Sequence, residues 1–482
     1  MDANEVKTKA VKGFAWQLLQ NSALYVTKFV ITVVLARIVL PEEYGLVALA
    51  NTFINIAMVF VTTGFSSAIV QKKEITDTDL NTLFYSSIGL GLLLYALLFY
   101  FSPAIADFYH ERALIEMVRV NALVVVIGMF YSVHQSLVYR RMEYRTSFNA
   151  SLVGAIFQGA TGILFALKGL GAWALVYSSV INYVVCAIYM WIAVRWKPKL
   201  EFSFASLKRN LPFSMKILGF DLIDAVFNNL MSLIIGRVYD SESLAYYNKG
   251  YQFPQLAMGF IDGASSKVMF SALSKFQDNW EEGLNTLRKE LQIVLFTTAP
   301  LMFGLYGCAD SFIRLMLTDA WAGAIPYVKL TCIICLLWPL AIKVIALTSI
   351  GKSGTALVLK TIFNCISIIS ILVSYRISVY AMVFASMVAG WINTFIMLFV
   401  SKRYLQYNIK DQITDIALSI LIGFVMGISI EYLGNLMNCV LFIKFVTQVL
   451  LGVIIYIGLS WLFNRKLLYT TLRYAKSFLK RN

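Results

Sequence analysis

The chain has 482 residues, of which 59% are apolar and only 14% charged, with a formal net charge of +15. A water-soluble protein of this length cannot hide so much apolar surface, so its solvent must be a bilayer. The apolar segments are too long for barrel strands and no backbone polar group can stay unpaired in lipid, so the fold class is an all-α polytopic membrane protein.

Lys7, Lys9 and Lys12 precede the first apolar run, which is longer than a signal-peptide core and lacks a small-x-small cleavage site; it reads as a retained helix. About fourteen transmembrane helices follow, near 13–37, 44–70, 81–105, 114–138, 146–166, 172–195, 211–237, 250–274, 290–316, 326–350, 355–374, 379–400, 413–431 and 439–463. They group as an N-terminal lobe over 1–200, a second lobe over 201–404, two additional spans over 405–463, and a basic amphipathic tail over 464–482. The tail sets Leu468, Leu472, Ala475 and Leu479 at helical spacing beside six basic residues, the pattern of an interfacial helix.

The two lobes carry a related hairpin. LARIVLPEEYGLVALANTF (35–53) aligns with IGRVYDSESLAYYNKGYQF (235–253), pairing Arg37 with Arg237, Glu42 with Glu242 and Phe53 with Phe253. Internal repeats of this kind are a common plan for secondary transporters, with the substrate site between the halves. Lysine and arginine set the orientation. With the N-terminus inside, inner segments hold 26 of the 41 basic residues and outer segments five, so both termini face the cytoplasm. The positive charge therefore faces an anionic leaflet and gives no support for nucleic-acid binding.

Polar residues run along one face of the hairpin helices at about 100° per residue. Gln17, Asn21 and Lys28 do so in the first span, Asn51 and Asn55 in the second, Asp221, Asp224 and Asn228 in the seventh, and Gln255 and Asp262 in the eighth. Such stripes belong against a water-filled cavity or another helix. Lys28, Asp224 and Asp262 lie near mid-span, where a charge costs about 2.5–3.5 kcal/mol to insert. These ten residues are the candidate substrate-binding set, and a Lys–Asp pair locking the halves is the competing structural reading.

Other features carry less. Glu116 and Arg119 are placed to pair, and His134 reads as a packed histidine. Cys332 and Cys335 have CxxC spacing without a second ligand pair and read, with the other four cysteines, as core fillers rather than a metal or redox site. Asp77 and Asp79 form a DxD in a loop too short to enclose a sugar nucleotide and read as a solvated turn. The GKS at 351–353 lacks the glycine of a phosphate-binding loop, and neither H-E-x-x-H nor G-x-S-x-G occurs. No enzyme chemistry or cofactor is indicated. Pro254, Pro300 and Pro339 lie inside spans, where they break or bend helices.

VKGFAWQLL leading into LARIVLPEEYGLVALANTF, and later YYNKGYQFPQLA, resemble the openings of the two halves of Wzx-type polysaccharide flippases, in the colanic-acid and teichuronic-acid exporter branch of the multidrug/oligosaccharidyl-lipid/polysaccharide exporter superfamily. The resemblance implies two six-helix bundles around a central cavity in a bacterial inner membrane. It also implies alternating access and movement of an undecaprenyl-pyrophosphate-linked oligosaccharide to the outer leaflet for surface polysaccharide biosynthesis, lipopolysaccharide or exopolysaccharide. Expected partners are the lipid-linked substrate, the bilayer, a coupling ion (H+ or Na+), and polysaccharide polymerase and assembly proteins. The family has no strict catalytic motif, so no site residue is carried over from it. Two alternatives stand beside it: a cation-coupled multidrug exporter using Asp224 and Asp262, and a membrane-embedded polymerase or glycosyltransferase, which the short outward connections disfavour.

Overall fold

The computed structural model describes residues 23–72, 74–276 and 279–480. Every regular element among them is helical. Contacts divide the chain into two units, Met1–Ala245 and Tyr246–Asn482, with the division inside one long helix.

The first unit begins with α1 (23–38) and α2 (Pro41–Thr62). Pro41 takes the first helical turn of α2, where its missing N–H costs nothing, and Glu42 and Glu43 complement the positive end of the helix dipole. Glu43 also accepts from the Leu40 backbone N–H at 3.2 Å. A short α3 (Ser66–Gln71) leads to α4 (Asp77–Tyr109), which starts on a Thr76–Asp79 capping box. Next come α5 (Leu114–Asn121), α6 (Leu123–Arg140), α7 (Tyr144–Leu167), α8 (Ala172–Ala193) and α9 (Phe204–Val238). Arg140, at the end of α6, donates to the Ile69 carbonyl at 2.8 Å and to that of Lys72, satisfying acceptors that α3 leaves free. Leu83, Phe84, Val133, Leu137 and Met190 form the core at this corner.

The helix α10 (Ser241–Leu273) carries the chain across the division. Asp240 caps it, accepting from the Ser243 N–H at 2.6 Å. The breaks between α1 and α2 and between α9 and α10 fall at 39–40 and 239–240, so the 200-residue offset of the repeat holds at each helix end. The seventh span, expected to open the second lobe at 201, packs on α2, α3 and α4 of the first unit.

In the second unit, α11 (Trp280–Gly307) and α12 (Ala309–Met316) meet at a 72° bend. Next, α13 (Ile325–Cys335) and α14 (Ile342–Ser349) are separated by a 3-10 turn, Trp338–Ala341, that contains Pro339. Then follow α15 (Ser353–Ser374), α16 (Val379–Leu405), α17 (Ile409–Leu436), α18 (Leu441–Phe463) and α19 (Arg465–Lys480). A side chain on Gly427 would lie 2.8 Å from the Phe303 carbonyl, and one on Gly423 would lie 2.8 Å from the Phe303 ring. This small-xxx-small pair lets α17 lie against α11, the way helices associate in lipid where no hydrophobic force separates helix from solvent. Near the start of α17, Asp415 accepts from Arg288 Nε (2.8 Å), Gln292 Nε2 (2.6 Å) and the Tyr407 hydroxyl (2.6 Å). Lys343, fully buried beside this group, donates to Gln412 Oε1 at 2.8 Å.

Among the described residues, eleven helices are long and apolar enough to cross a membrane, or up to twelve if the bent α11–α12 pair is one span. The expected spans at 13–37 and 250–274 include residues or side chains outside those described, so the count of fourteen is not reached among the described residues. Large apolar side chains such as Phe101, Ile192, Val373, Phe395 and Ile454 cover the helix exteriors, as a lipid-facing surface requires.

Candidate functional site

The polar stripes are only partly brought together. Gln17 and Asn21 lie outside the described residues, as does the side chain of Asp262 on α10. Lys28 is exposed on α1, one turn before Ile31, which packs against Gly159 of α7. Asn51 is half-buried on α2, and its Oδ1 accepts from the buried Asn121 of α5 at 2.7 Å. That contact holds α5 to α2 and occupies part of an amide expected to face substrate. Asn55, one turn further along, is exposed. On α9, Asp221 and Asp224 are half-buried and Asn228 is exposed. Gln255, half-buried on α10, belongs to the second unit.

α9 is held at both ends, and Ser214, Leu218 and Met231 are buried between them. Near Val238 the contact is made by glycines. A Cβ on Gly45 would lie 1.8 Å from the Ser241 carbonyl oxygen, and one on Gly236 would lie 2.1 Å from Leu49 Cδ2 and 2.9 Å from the Tyr109 ring. Only hydrogen fits at either position, so backbone meets backbone and side chain directly. Arg237 donates to His110 Nε2 at 2.8 Å and lies over the Phe108 ring at 5.0 Å. An arginine only donates, so His110 accepts there through an unprotonated Nε2. In the same connection, burial raises the Glu111 carboxyl above its usual range, and the charge of Glu42 adds to the effect.

Near Phe204 the contact is polar. Asp79, 1% exposed, accepts from Lys72 Nζ (2.5 Å), the Thr76 backbone (3.2 Å), Arg209 Nη2 (2.7 Å), Asn210 Nδ2 (3.4 Å) and the Ser206 hydroxyl. Around it, Asn81 accepts from the Lys199 N–H (3.0 Å) and donates to Glu201 (3.2 Å), and Thr82 accepts from the Ser203 N–H (3.1 Å). The expectation of a solvated turn is thus corrected for Asp79, while Asp77 is exposed. The signal was legible in Thr76-x-x-Asp79, a capping pattern that turns the second carboxylate inward.

The second unit contains a cavity of about 440 Å³ between α11, α12, α17 and α18, walled by Pro300, Leu305, Phe312, Met426, Phe445 and Val453. Its two polar members are already engaged. Gln448 donates to the carbonyls of Ile430 (3.0 Å) and Gly307 (3.3 Å) and accepts from Ser311, and Tyr456 donates to the Phe296 carbonyl at 2.7 Å. The wall that remains is hydrocarbon, and the volume falls in the range of small-molecule sites.

Among the lesser candidates, Arg119 pairs with Glu116 at 2.9 Å. His134 is fully buried against Trp191 and Trp196, with ring centroids 4.6 and 5.4 Å away, as a packed histidine. Cys308, Cys332 and Cys335 are buried free thiols, whereas Cys365 and Cys439 are exposed and fill no core. Lys329 pairs with Glu431.

Comparison with known proteins adds the lineage. The lipopolysaccharide biosynthesis protein WzxC of Escherichia coli (strain K12) is 24% identical over 340 residues, 69% of this chain and 68% of that one. The teichuronic acid biosynthesis protein TuaB of Bacillus subtilis (strain 168) is 24% identical over 336 residues, 68% of each chain. Among solved structures, the lipid II flippase MurJ in an inward closed conformation aligns with a TM-score of 0.75 at 18% identity, over 93% of this chain and 99% of that one. An inward-facing multidrug-resistance MATE transporter aligns with a TM-score of 0.63 at 14% identity, over 80% of this chain and 94% of that one. Both likenesses establish an all-α transporter fold. The polysaccharide biosynthesis protein family model matches residues 34–326, which span both repeated hairpins, and the chain belongs to that family.

Proposed function

We propose that this protein is a flippase that carries an undecaprenyl-pyrophosphate-linked oligosaccharide from the inner to the outer leaflet of the bacterial cytoplasmic membrane, by alternating access, for surface polysaccharide biosynthesis. The observation that carries the reading is the family match across 34–326, joined by relatives named for lipopolysaccharide and teichuronic acid biosynthesis. The basic residues favour cytoplasmic termini, which puts the Phe204 end of α9 inside and the Val238 end outside.

The chemistry of the cargo suits the chain. A lipid-linked glycan has a head that cannot cross hydrocarbon and a tail that need not leave it. On this reading the head meets the polar stripes, with Gln17, Asn21, Asn51, Asn55, Asn228 and Gln255 replacing water around sugar hydroxyls and Lys28 balancing the pyrophosphate. Asp221, Asp224 and Asp262 take sugar hydroxyls or a coupling H+ or Na+. The apolar cavity of the second unit offers the isoprenoid tail a seat, at about 0.8 kcal/mol per buried methylene. A polysaccharide polymerase and assembly proteins would receive the product.

The test is transbilayer movement of a polyprenyl-pyrophosphate oligosaccharide in proteoliposomes, comparing wild type with Lys28→Ala and Asp224→Asn. Flipping by wild type that falls at least tenfold in both folded variants supports the function and the site. Flipping that survives keeps the function and returns those charges to structural roles. Wild-type inactivity toward several lipid-linked glycans under an imposed ion gradient, with resistance to cationic drugs on expression, would replace the reading with that of a drug exporter.

A further inference from the structure

We propose that the connection between α8 and α9 is a membrane foot. Leu200, Phe202 and Phe204 form an apolar ridge that seats in the headgroup–acyl boundary of the inner leaflet, and the basic residues beside it bind anionic phospholipid headgroups. The inference rests on the orientation given above, which puts this end inside, and not on the cargo.

The ridge is made by pinning the chain. Trp196 packs on Phe84 and His134, with ring centroids 5.8 and 5.4 Å away, and the segment beyond it bonds to the start of α4 at every second residue. The Lys199 N–H donates to Asn81 Oδ1 at 3.0 Å, the Glu201 carboxylate accepts from Asn81 Nδ2 at 3.2 Å, and the Ser203 N–H donates to Thr82 Oγ1 at 3.1 Å. The residues between are left to the outside. The Glu201 N–H closes a tight turn on the Lys199 carbonyl at 2.8 Å, with Leu200 at its tip. Leu200 is 94% exposed and Phe204 80%, and the Phe202 and Phe204 rings meet edge to face at 5.0 Å. Three large apolar side chains held outward side by side gain nothing in water and are stabilised only where an apolar phase covers them.

Two observations point to lipid as that phase. Between 195 and 216 stand six basic residues and one acid, and the acid, Glu201, is engaged by Asn81. Arg195, Lys197, Lys199 and Lys208 are exposed around the ridge, so its charge complements an anionic leaflet. The apolar surface is also continuous with that of α9, a membrane-spanning helix. Phe204, Lys208, Leu211 and Met215 are all exposed, and their spacing sets them on one helical face. Lys208 can lay its methylene stem along this stripe while its ammonium reaches the phosphates. Phenylalanine and leucine interleaved with lysine is the composition of segments that lie in a membrane interface.

The experiment reads depth and lipid preference in the full chain with its six cysteines replaced. Nitroxides are placed on Leu200→Cys, Phe204→Cys and, as a control, the exposed Asp77→Cys, in vesicles of mixed phosphatidylcholine and phosphatidylglycerol. Oxygen, which concentrates in hydrocarbon, is expected to relax the labels at 200 and 204 more than a water-soluble nickel chelate does, with the order reversed at 77. A bimane on Phe202→Cys is then quenched with phospholipids that carry a nitroxide near the headgroup. Half-quenching is expected at an about two- to fivefold lower mole fraction of labelled phosphatidylglycerol than of labelled phosphatidylcholine. That preference should vanish when Lys197, Lys199 and Lys208, whose side chains are exposed, are all replaced by glutamine. Nickel access at 200 and 204 equal to that at 77 overturns the proposal and leaves the ridge to a soluble partner. Equal quenching by the two lipids overturns the anionic preference. Reaction of Lys197→Cys with an impermeant thiol reagent added outside intact cells would refute the orientation, a result separate from the vesicle measurements, in which both leaflets are alike.

Discussion

Replacing Asp79 and Asp77 separately by alanine tests the hold of Asp79 on α9 energetically, because the two carboxylates are two residues apart in one motif and differ in burial. Asp79→Ala removes the acceptor of the buried Ser206 hydroxyl and of the Thr76 N–H, and one partner of the Asn210 amide. Asn210 keeps the Ser206 carbonyl at 2.9 Å and Thr76 is exposed, so the Ser206 hydroxyl is the buried donor that loses its acceptor. A stranded buried donor costs about 1–3 kcal/mol. Lys72 and Arg209, 26% and 62% exposed, regain water, so they add little to the loss. The loss is therefore about 1–3 kcal/mol. Asp77→Ala loses only an exposed acid in the first helical turn, less than about 1 kcal/mol. On the scale of a unit this size, about 2–4 °C per kcal/mol, the unfolding midpoint of purified protein in detergent should fall by roughly 2–12 °C for Asp79→Ala and by no more than about 4 °C for Asp77→Ala. Equal shifts in the two variants would refute the burial argument. So would a large shift in Arg209→Ala, which would mean that the exposed arginine rather than the buried donor carries the energy.

Asp415→Ala should destabilise the second unit by about 3–5 kcal/mol, since it leaves the Tyr407 hydroxyl without its acceptor and removes a carboxylate charge that acts on the buried Lys343; unfolding of the variant in detergent, with Asp411→Ala, whose longer 3.7 Å contact to Arg288 is more open to solvent, as the control, checks this. The raised Glu111 carboxyl predicts a pH effect whose sign is fixed. The folded protein favours the neutral acid, so the contribution of this group to stability is present at low pH and is lost as pH rises through its titration. Glu111→Gln should therefore stabilise the protein more at pH 8 than at pH 5, read as the difference in unfolding midpoint between variant and wild type. A difference independent of pH would show that Glu111 is solvated.

What could be read in the sequence and what could not are separated by a physical distinction between period and partner. Period gave the helices, because a segment that must satisfy its backbone in lipid has no alternative, and it gave the repeat, whose helix ends recur at 38 and 238 and restart at 41 and 241. Partners within one helical turn were also legible, as with Glu116 and Arg119. Distant partners were not. Asn51 carries the same stripe signal whether it faces a sugar or Asn121 seventy residues away, since an amide is equally costly in lipid in either case. Asp79 was legible as a cap, but its bonds to Ser206 and Arg209 depend on where the 196–210 connection returns, which no local pattern encodes. The glycines state the point most sharply. Gly45 and Gly236 lie inside the repeated hairpin stretches, but no charge or period marks them, and their role exists only because helix ends meet where a methyl group would collide. In a membrane protein the costly polar residues announce that something must be satisfied, while the small residues that let helices approach closely leave no such mark, so close helix contacts are the part of the fold that sequence reasoning is least able to see.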